Sequence, residues 1–292
     1  MALLKNGDRL QICRIVLLLS FAGILSGCTG LLFFPSKEWV QKPDSLGLDY
    51  QNLELIAADG TPLNAWFLPV SGKARGSILF LHGNAENIST HIHSVRWLPA
   101  AGYQVLLLDY RGFGQSKGHP NLPDVFLDID AAMVWLNHAQ QSSAQPLYIL
   151  GQSIGASLML YAASQYTDNR ALCALISDAA FTRYGAIAGH VAKQSWLSWP
   201  LQFPLSLFGR AYDPIDGVSS LGSVPILFYH SVDDEIIPFN YLDQLVAAHS
   251  GPSQRVVTSG PHTATFFFEE NRRILLEFLS RSASSGACNR AH

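Results

Sequence analysis

The most constraining stretch of the chain is Gly151-Gln152-Ser153-Ile154-Gly155. Residues 146–150 before it form a short apolar run, the pattern of a buried strand, and residues 156–166 after it read as a helix. A strand that turns straight into a helix leaves no room for side chains at the corner. Gly151 and Gly155 therefore let the two elements crowd together. The serine between them then stands at the C-terminal edge of a sheet. The N-terminus of the following helix offers unpaired N–H groups and positive potential, which suits a developing oxyanion. This is the setting of a nucleophile elbow. Outside such a setting the serine would be an ordinary helix N-cap.

The remaining pattern agrees with that corner. Residues 52–57 and 63–68 flank Asp59-Gly60 and read as a β-hairpin. Short apolar strands follow at 77–81, 104–108, 146–150, 171–176, 224–229 and 255–258, with helical stretches at 88–100, 122–138, 156–166, 238–248 and 266–279. Continuous apolar strands separated by helices predict an α/β fold, with a mostly parallel central sheet of about eight strands covered by helices on both faces. The alternation breaks between residues 182 and 222, where Trp196, Trp199, Phe203, Phe208, Pro200, Pro204 and Pro214 fall without a strand pattern. A small helical cap inserted over the C-terminal edge of the sheet would lie here. Such a segment serves equally as a packed insertion or as a lid with an apolar pocket. The folded domain is expected to span residues 47–281, and the Ser-, Gly- and Ala-rich tail at 282–292 to fray.

The N-terminus stands apart. Lys5, Arg9 and Arg14 make a positive n-region, residues 15–25 a short apolar h-region, and Leu25-Ser26-Gly27-Cys28 follows at once. This is the pattern of a secretory signal peptide, and the run is too short for a comfortable transmembrane helix. The last four residues resemble a bacterial lipobox. That resemblance implies removal of residues 1–27, lipidation of Cys28 with palmitate-type chains, and residues 28–46 as a tether and lead-in. Thr29, where Asp would signal retention, implies the outer membrane on its periplasmic side in a Gram-negative cell envelope. Acyl chains, not basic attraction, would make the attachment, because the net charge is −3 and no basic block exists. The same balance argues against nucleic acid as a partner. Cys173 lies in an apolar strand and reads as a small core residue. Cys288 lies in the polar tail, and neither has neighbours at metal-ligand spacing.

A serine nucleophile needs a base, and the base needs an orienting carboxylate. His262 follows the last strand in Gly260-Pro261-His262-Thr263, and Asp234 follows another in residues 230–238. The order Ser, Asp, His places all three after strand ends, where a parallel sheet gathers its site. Asp233 rivals Asp234, and Asp178, after residues 171–176, is a further choice for the acid. The oxyanion would take one N–H from Ile154 and one from Asn84, in the loop His82-Gly83-Asn84-Ala85-Glu86-Asn87. His82 would hold that loop, and Gly83 would let its backbone approach the substrate. His91 and His93 point in different directions on a helix and make a poor metal pair. Arg111 and Asp109 read as loop scaffold.

The segments HGNAEN (82–87), DYRGFGQSKG (109–118), GQSIGAS (151–157) and HSVDDEIIP (230–238) together resemble the α/β-hydrolase superfamily. They are most similar to a branch that holds bacterial membrane-associated hydrolases and eukaryotic serine hydrolases, some of which remove acyl groups from lipids or acylated proteins. The resemblance spans residues 34–279 and implies the α/β-hydrolase fold. It also implies a Ser153–His262–Asp234 triad, with Ile154 and Asn84 as oxyanion donors and His82, Gly83, Gly151 and Gly155 in support. The base loop departs from the branch, with Pro261 where a second glycine is more common. The expected activity is a membrane-tethered serine hydrolase that cleaves an ester or thioester of a small-molecule or acyl substrate, with no cofactor and no metal. Two other readings stand beside it: a peptidase or amidase using the same elbow, and a binding lipoprotein on an inactive scaffold. Serine rather than aspartate at the elbow argues against dehalogenase or epoxide-hydrolase chemistry.

Overall fold

The computed structural model describes residues 29–140, 145–166, 172–193, 210–284 and 288. The expected signal segment, Cys28 and the aromatic centre of the 182–222 insertion lie outside the described residues. Eight strands form one sheet: β1 (Gln51–Ile56), β2 (Pro62–Leu68), β3 (Gly76–Leu81), β4 (Tyr103–Leu108), β5 (Leu147–Gln152), β6 (Leu172–Asp178), β7 (Ile226–Ser231) and β8 (Ser253–Thr258). Their order is β1-β2-β4-β3-β5-β6-β7-β8. The β1/β2 hairpin and the β2/β4 pair are antiparallel, and all other pairs are parallel.

The central strands are apolar on both sides because both sides are covered. Leu79 and Leu81 of β3 join one core with Leu106 and Leu108 of β4 and Ile149 of β5. Ile78 and Phe80 join the other with Val105, Leu107, Tyr148 and Leu150. Helices α2 (Val125–Gln140), α3 (Ile154–Ser164), α5 (Pro214–Ser220) and α6 (Asn240–Ala248) cover the first face. The α1 turn (Ile88–His91) and α7 (Glu269–Ser284) cover the second. This is the expected α/β-hydrolase architecture. Arg111, read as scaffold, pins the hairpin to the body: its guanidinium meets Asp128 of α2 at 2.7 Å and Asp59 at 2.8 Å.

The helix expected over residues 88–100 is not continuous. Only the four residues of α1 are α-helical, and 3₁₀ turns follow at Ile92–Ser94 and Pro99–Ala101. Local polar side chains compete for its ladder. Asn87 caps the start, its Oδ1 accepting Ser89 N–H (2.9 Å), but the Thr90 hydroxyl donates to the Asn87 carbonyl (3.0 Å) and the Trp97 indole takes the Ser94 carbonyl (2.9 Å). Pro99 then has no N–H to contribute.

Three further features position the site. First, the segment before β1 is packed, not trailing. Thr29 is buried and exchanges hydrogen bonds with the Leu122 backbone (2.9 and 3.2 Å). Second, the insertion leaves and re-enters at one clamp. Asp213 accepts Tyr184 N–H (3.1 Å) at the start of α4 (Tyr184–Lys193) and binds Arg183 (2.8 Å). The returning α5 lies on α3 so closely that a Cβ on Gly217 would stand 2.5 Å from the Leu160 carbonyl oxygen. Third, Cys173 is indeed buried, but it is not alone: it is disulfide-bonded to Cys288, 115 residues away. Helix α7 packs on the second face, where the Tyr148 hydroxyl donates to the Leu279 carbonyl (3.0 Å), and so returns the tail to β6. A pairing across that separation has no signal in residue spacing.

The elbow glycines are needed for packing. A Cβ on Gly155 would lie 2.2 Å from the Leu81 carbonyl oxygen and 2.4 Å from that of His82, and one on Gly151 would lie 2.5 Å from Ala156 Cα. These are backbone atoms and cannot swing aside. Gly155→Ala is therefore expected to destabilise the protein by ~2–3 kcal/mol or more, as overpacking does. Urea unfolding monitored by circular dichroism checks this, and an unchanged midpoint would show that α3 can part from β3 without cost.

Candidate active site

β5 delivers Ser153 to the C-terminal edge of the sheet, and α3 begins at the next residue. Ser153 has φ 54° and ψ −120°, a conformation that costs ~1–3 kcal/mol in a non-glycine residue and persists only when its surroundings enforce it. Here its N–H donates to the Asp178 carbonyl (2.8 Å), and its own carbonyl accepts Ser157 N–H (3.1 Å). The side chain is nearly enclosed, with the residue 7% exposed. Ile154 is the first residue of α3, so its N–H has no acceptor within the helix.

The other two predicted residues meet across two loops. His262 Nδ1 lies 2.7 Å from Asp234 Oδ2. The Asp234 side chain is fully buried, and its Oδ1 accepts the N–H groups of Ile236 and Ile237, both at 2.9 Å. Burial alone would raise its pKa. The hydrogen bond and charge of His262, together with the two backbone N–H groups, outweigh that and hold it below its ordinary value. His230 stands behind it, its Nε2 donating to the Ile237 carbonyl (3.0 Å) and lying 3.6 Å from Asp234 Oδ2.

The rival aspartates have other partners. Asp233 Oδ2 accepts Gly260 N–H (2.9 Å), and the neighbouring Ser231 hydroxyl donates to the Gly260 carbonyl (2.5 Å). Both contacts fix the entry to the His262 loop, where Gly260 has φ 97° and Thr263 has φ 60°. Asp178 accepts from the Gln152 amide (2.8 Å) and the Thr265 hydroxyl (2.7 Å), and Gln152 also reaches the Thr263 carbonyl (3.2 Å). These bonds tie the serine strand to the histidine loop. Burial pushes Asp178 up to about 6, against the pull of its two hydrogen bonds. Residue types alone did not single out Gln152 or Thr265. The position of Gln152, directly before the serine at a strand end, was the available signal.

The loop after β3 carries Asn84. Its side chain accepts Phe34 N–H and Ala85 N–H, both at 2.9 Å, and donates to the Leu32 carbonyl (2.8 Å). Ala85 and Glu86 follow with φ of 65° and 55°, so two consecutive non-glycine residues are held left-handed. Gly83 faces the serine: a Cβ there would lie 3.5 Å from Ser153 Cβ. His82 is completely buried. Its Nδ1 donates to the Gly83 carbonyl (2.7 Å), and its own carbonyl accepts the Tyr110 hydroxyl (3.1 Å). Burial, and next the nearby charge of His91, keeps it well below its ordinary pKa and hence neutral. His91, set aside by the sequence reading, stacks on His82 with centroids 5.2 Å apart and lies 3.4 Å from the Ala85 carbonyl. His93 instead meets the Gln41 amide. Asp109 caps this layer from below, accepting Ile88 N–H (2.9 Å), and burial pushes it up to about 7.

Cys28, the expected lipidation residue, is outside the described residues. Among the described residues no helix is long and apolar enough to cross a membrane. A cleft of about 320 Å³ lined by Trp39, Asn52, Glu54, Pro62 and Lys117 lies at the β1/β2 edge and contains none of the residues above.

Comparison with known proteins fits this architecture. A family described as serine aminopeptidase, S33, matches residues 72–212, a stretch that includes Ser153 and stops short of Asp234 and His262. The esterase Pf2001 of Pyrococcus furiosus superposes with a TM-score of 0.68 at 22% identity, covering 85% of this chain and 96% of that one. Protein Rv2307c of Mycobacterium tuberculosis is 29% identical over 261 residues, 88% of this chain and 89% of its own length. Protein YfhR of Escherichia coli O157:H7 is 31% identical over 221 residues, 74% of each chain. By that identity and coverage, and by its fold, this chain belongs to the α/β-hydrolase family that includes YfhR.

Proposed function

We propose that this protein is a serine hydrolase that cleaves an ester or thioester through an acyl-enzyme. The observation that carries the reading is the buried Asp234 carboxylate on His262 Nδ1 at 2.7 Å, with Ser153 held in a left-handed turn at the end of β5 on the same edge of the sheet. In this reading Ser153 Oγ attacks the acyl carbon and His262 Nε2 accepts its proton. The C–O or C–S bond then breaks, and the leaving group takes that proton from His262. Water repeats the sequence: His262 takes its proton, the hydroxyl attacks the acyl carbon, and Ser153 leaves with the proton returned. Asp234 keeps the Nδ1–H tautomer and balances the imidazolium. In the same reading the N–H groups of Ile154 and Asn84 hold the oxyanion.

A peptidase or amidase is the second reading, favoured by the description of the family that matches residues 72–212. A panel of p-nitrophenyl esters, acyl thioesters and aminoacyl amides separates the two. Faster turnover of the amides would replace the first by the second. Lipid attachment at Cys28 and residence in the cell envelope belong to the same proposal. They are supported by the residue 1–28 pattern, and by the Cys173–Cys288 disulfide, which suits an oxidising compartment.

Ser153→Ala is expected to lose fluorophosphonate labelling and ester turnover with its thermal midpoint nearly unchanged, since the hydroxyl carries little packing. Turnover at the wild-type rate in the purified variant would remove Ser153 from the mechanism. Among the aspartates, Asp234→Asn should lower kcat on the order of 10⁴-fold, because an amide imposes the wrong imidazole tautomer. Asp233→Asn should cost far less, since Asp233 meets Gly260 N–H and an amide oxygen can still accept that bond. Reversal of that order in steady-state kinetics would exchange their roles. Cys28→Ser is expected to accumulate as unprocessed precursor and to take up no labelled fatty acid. Label on the variant would place the lipid elsewhere.

A further inference from the structure

The segment that precedes β1 was expected to be a tether and lead-in. One side of it is bonded to the loop that carries Asn84. The Leu32 carbonyl accepts from the Asn84 amide (2.8 Å), and Phe34 N–H donates to the same side chain (2.9 Å). Ser36 N–H donates to the Glu86 carbonyl (3.0 Å). The carbonyls of Ser36 and Glu38 accept both bonds of the Asn87 amide, at 3.0 and 2.7 Å. Val40 N–H then donates to the Ser89 hydroxyl (2.9 Å), and the Gln41 amide to the Ser89 carbonyl (3.1 Å).

The opposite side of the segment is fixed to the body. The Ser36 carbonyl also accepts Gly114 N–H (2.9 Å), and Lys37 reaches the Ser116 carbonyl (2.7 Å). Phe33 is buried edge-on against Phe113, with centroids 6.3 Å apart. The segment is thus threaded between the 84–89 loop and the 114–116 turn and holds one against the other. The loop it grips contains Ala85 and Glu86, both left-handed without being glycine. Such backbone relaxes unless neighbours over-determine it. Ala85 is restrained locally by the Asn84 side chain on its N–H and by His91 Nε2, 3.4 Å from its carbonyl, and the Asn84 side chain is itself gripped by Leu32 and Phe34.

We propose that residues 32–41 are a strap that sets the aim of the Asn84 N–H, so that this segment is a positioning element of the reaction. The proposal rests on the serine-hydrolase reading, with Asn84 as an oxyanion donor. Its physical basis is that a donor stabilises the oxyanion only when pre-aimed, and loses that contribution when the loop relaxes. Substrate in its ground state makes no such demand, so the strap acts on kcat and not on KM.

The test uses the full chain. Ser36→Pro removes the N–H that holds the Glu86 carbonyl and leaves every catalytic side chain in place. Asn84→Ala removes the side chain that the strap grips and keeps the backbone N–H. Each variant is assayed for kcat and KM on p-nitrophenyl butyrate, for inhibition by an alkylboronic acid, and for thermal midpoint. The expected result is a kcat lowered between ~10-fold and ~10³-fold, the upper figure being loss of a whole oxyanion donor. Boronate affinity should fall in step, with KM and the midpoint little changed. A merely structural role would move the midpoint and leave the boronate-to-KM ratio alone. Where Ser36→Pro does not fold, Asn84→Ala carries the test. Unchanged kcat and boronate affinity in the folded variants, with Ser153→Ala inactive, would overturn the strap and leave the serine reading standing. Wild-type turnover by Ser153→Ala would overturn both.

Discussion

Helix α3 crosses β3 at a distance only a glycine allows. Gly155 lies against the Leu81 and His82 carbonyls, where a Cβ would stand 2.2 to 2.4 Å from backbone oxygen. That contact joins the start of the helix behind Ser153 to the end of the strand before Asn84. It therefore sets the separation between the serine and the loop opposite. The Gly83 position, 3.5 Å from Ser153 Cβ for an added Cβ, is the other side of the same approach. Parallel pairing of β3 with β5 makes the two strand ends adjacent, and the glycines remove the side chains that would hold them apart. The strained φ of Ser153 is a consequence: the chain must leave the strand and enter the helix within one residue.

Around that corner, carboxylates do the positioning, and the buried ones have hydrogen-bond partners that offset their desolvation. Three aspartates within the same edge of the sheet separate by what faces them. Asp234 has an imidazole and two backbone N–H groups and is held ionised. Asp178 has an amide and a hydroxyl, which compensate its burial less, so its pKa rises to about 6. Asp233 faces the Gly260 N–H and fixes a loop entry. The same residue type thus serves as imidazole partner, strand-to-loop tie and loop anchor according to its donors. Asp109 and Asp213 repeat the tie at the Asn84 loop and at the insertion.

The lead-in adds a constraint from outside the sheet. Its backbone amides and carbonyls supply the partners that Asn84, Glu86, Asn87 and Ser89 require. Thr29 is itself bonded to the Leu122 backbone, so the lead-in is held to the body there as well.

Much of this was legible beforehand because it is local. The alternation of apolar strands and helices follows from burial on both faces of a sheet, and the GQSIG corner from the steric demand of a strand-to-helix turn. Chain order put Ser153, Asp234 and His262 after strand ends, which is where the structure places them. What tertiary structure decided is everything that depends on which distant groups become neighbours. The choice of Asp234 over Asp178 as the partner of His262 is made by loop packing. The bonds of Gln152 and Thr265 to Asp178 join residues 26 and 87 positions apart. The Cys173–Cys288 bond spans 115. The grip of residues 32–41 on the Asn84 loop has the same origin. Backbone groups with no partner inside their own element take whichever donor or acceptor the fold brings to them, and sequence periodicity carries no record of that choice.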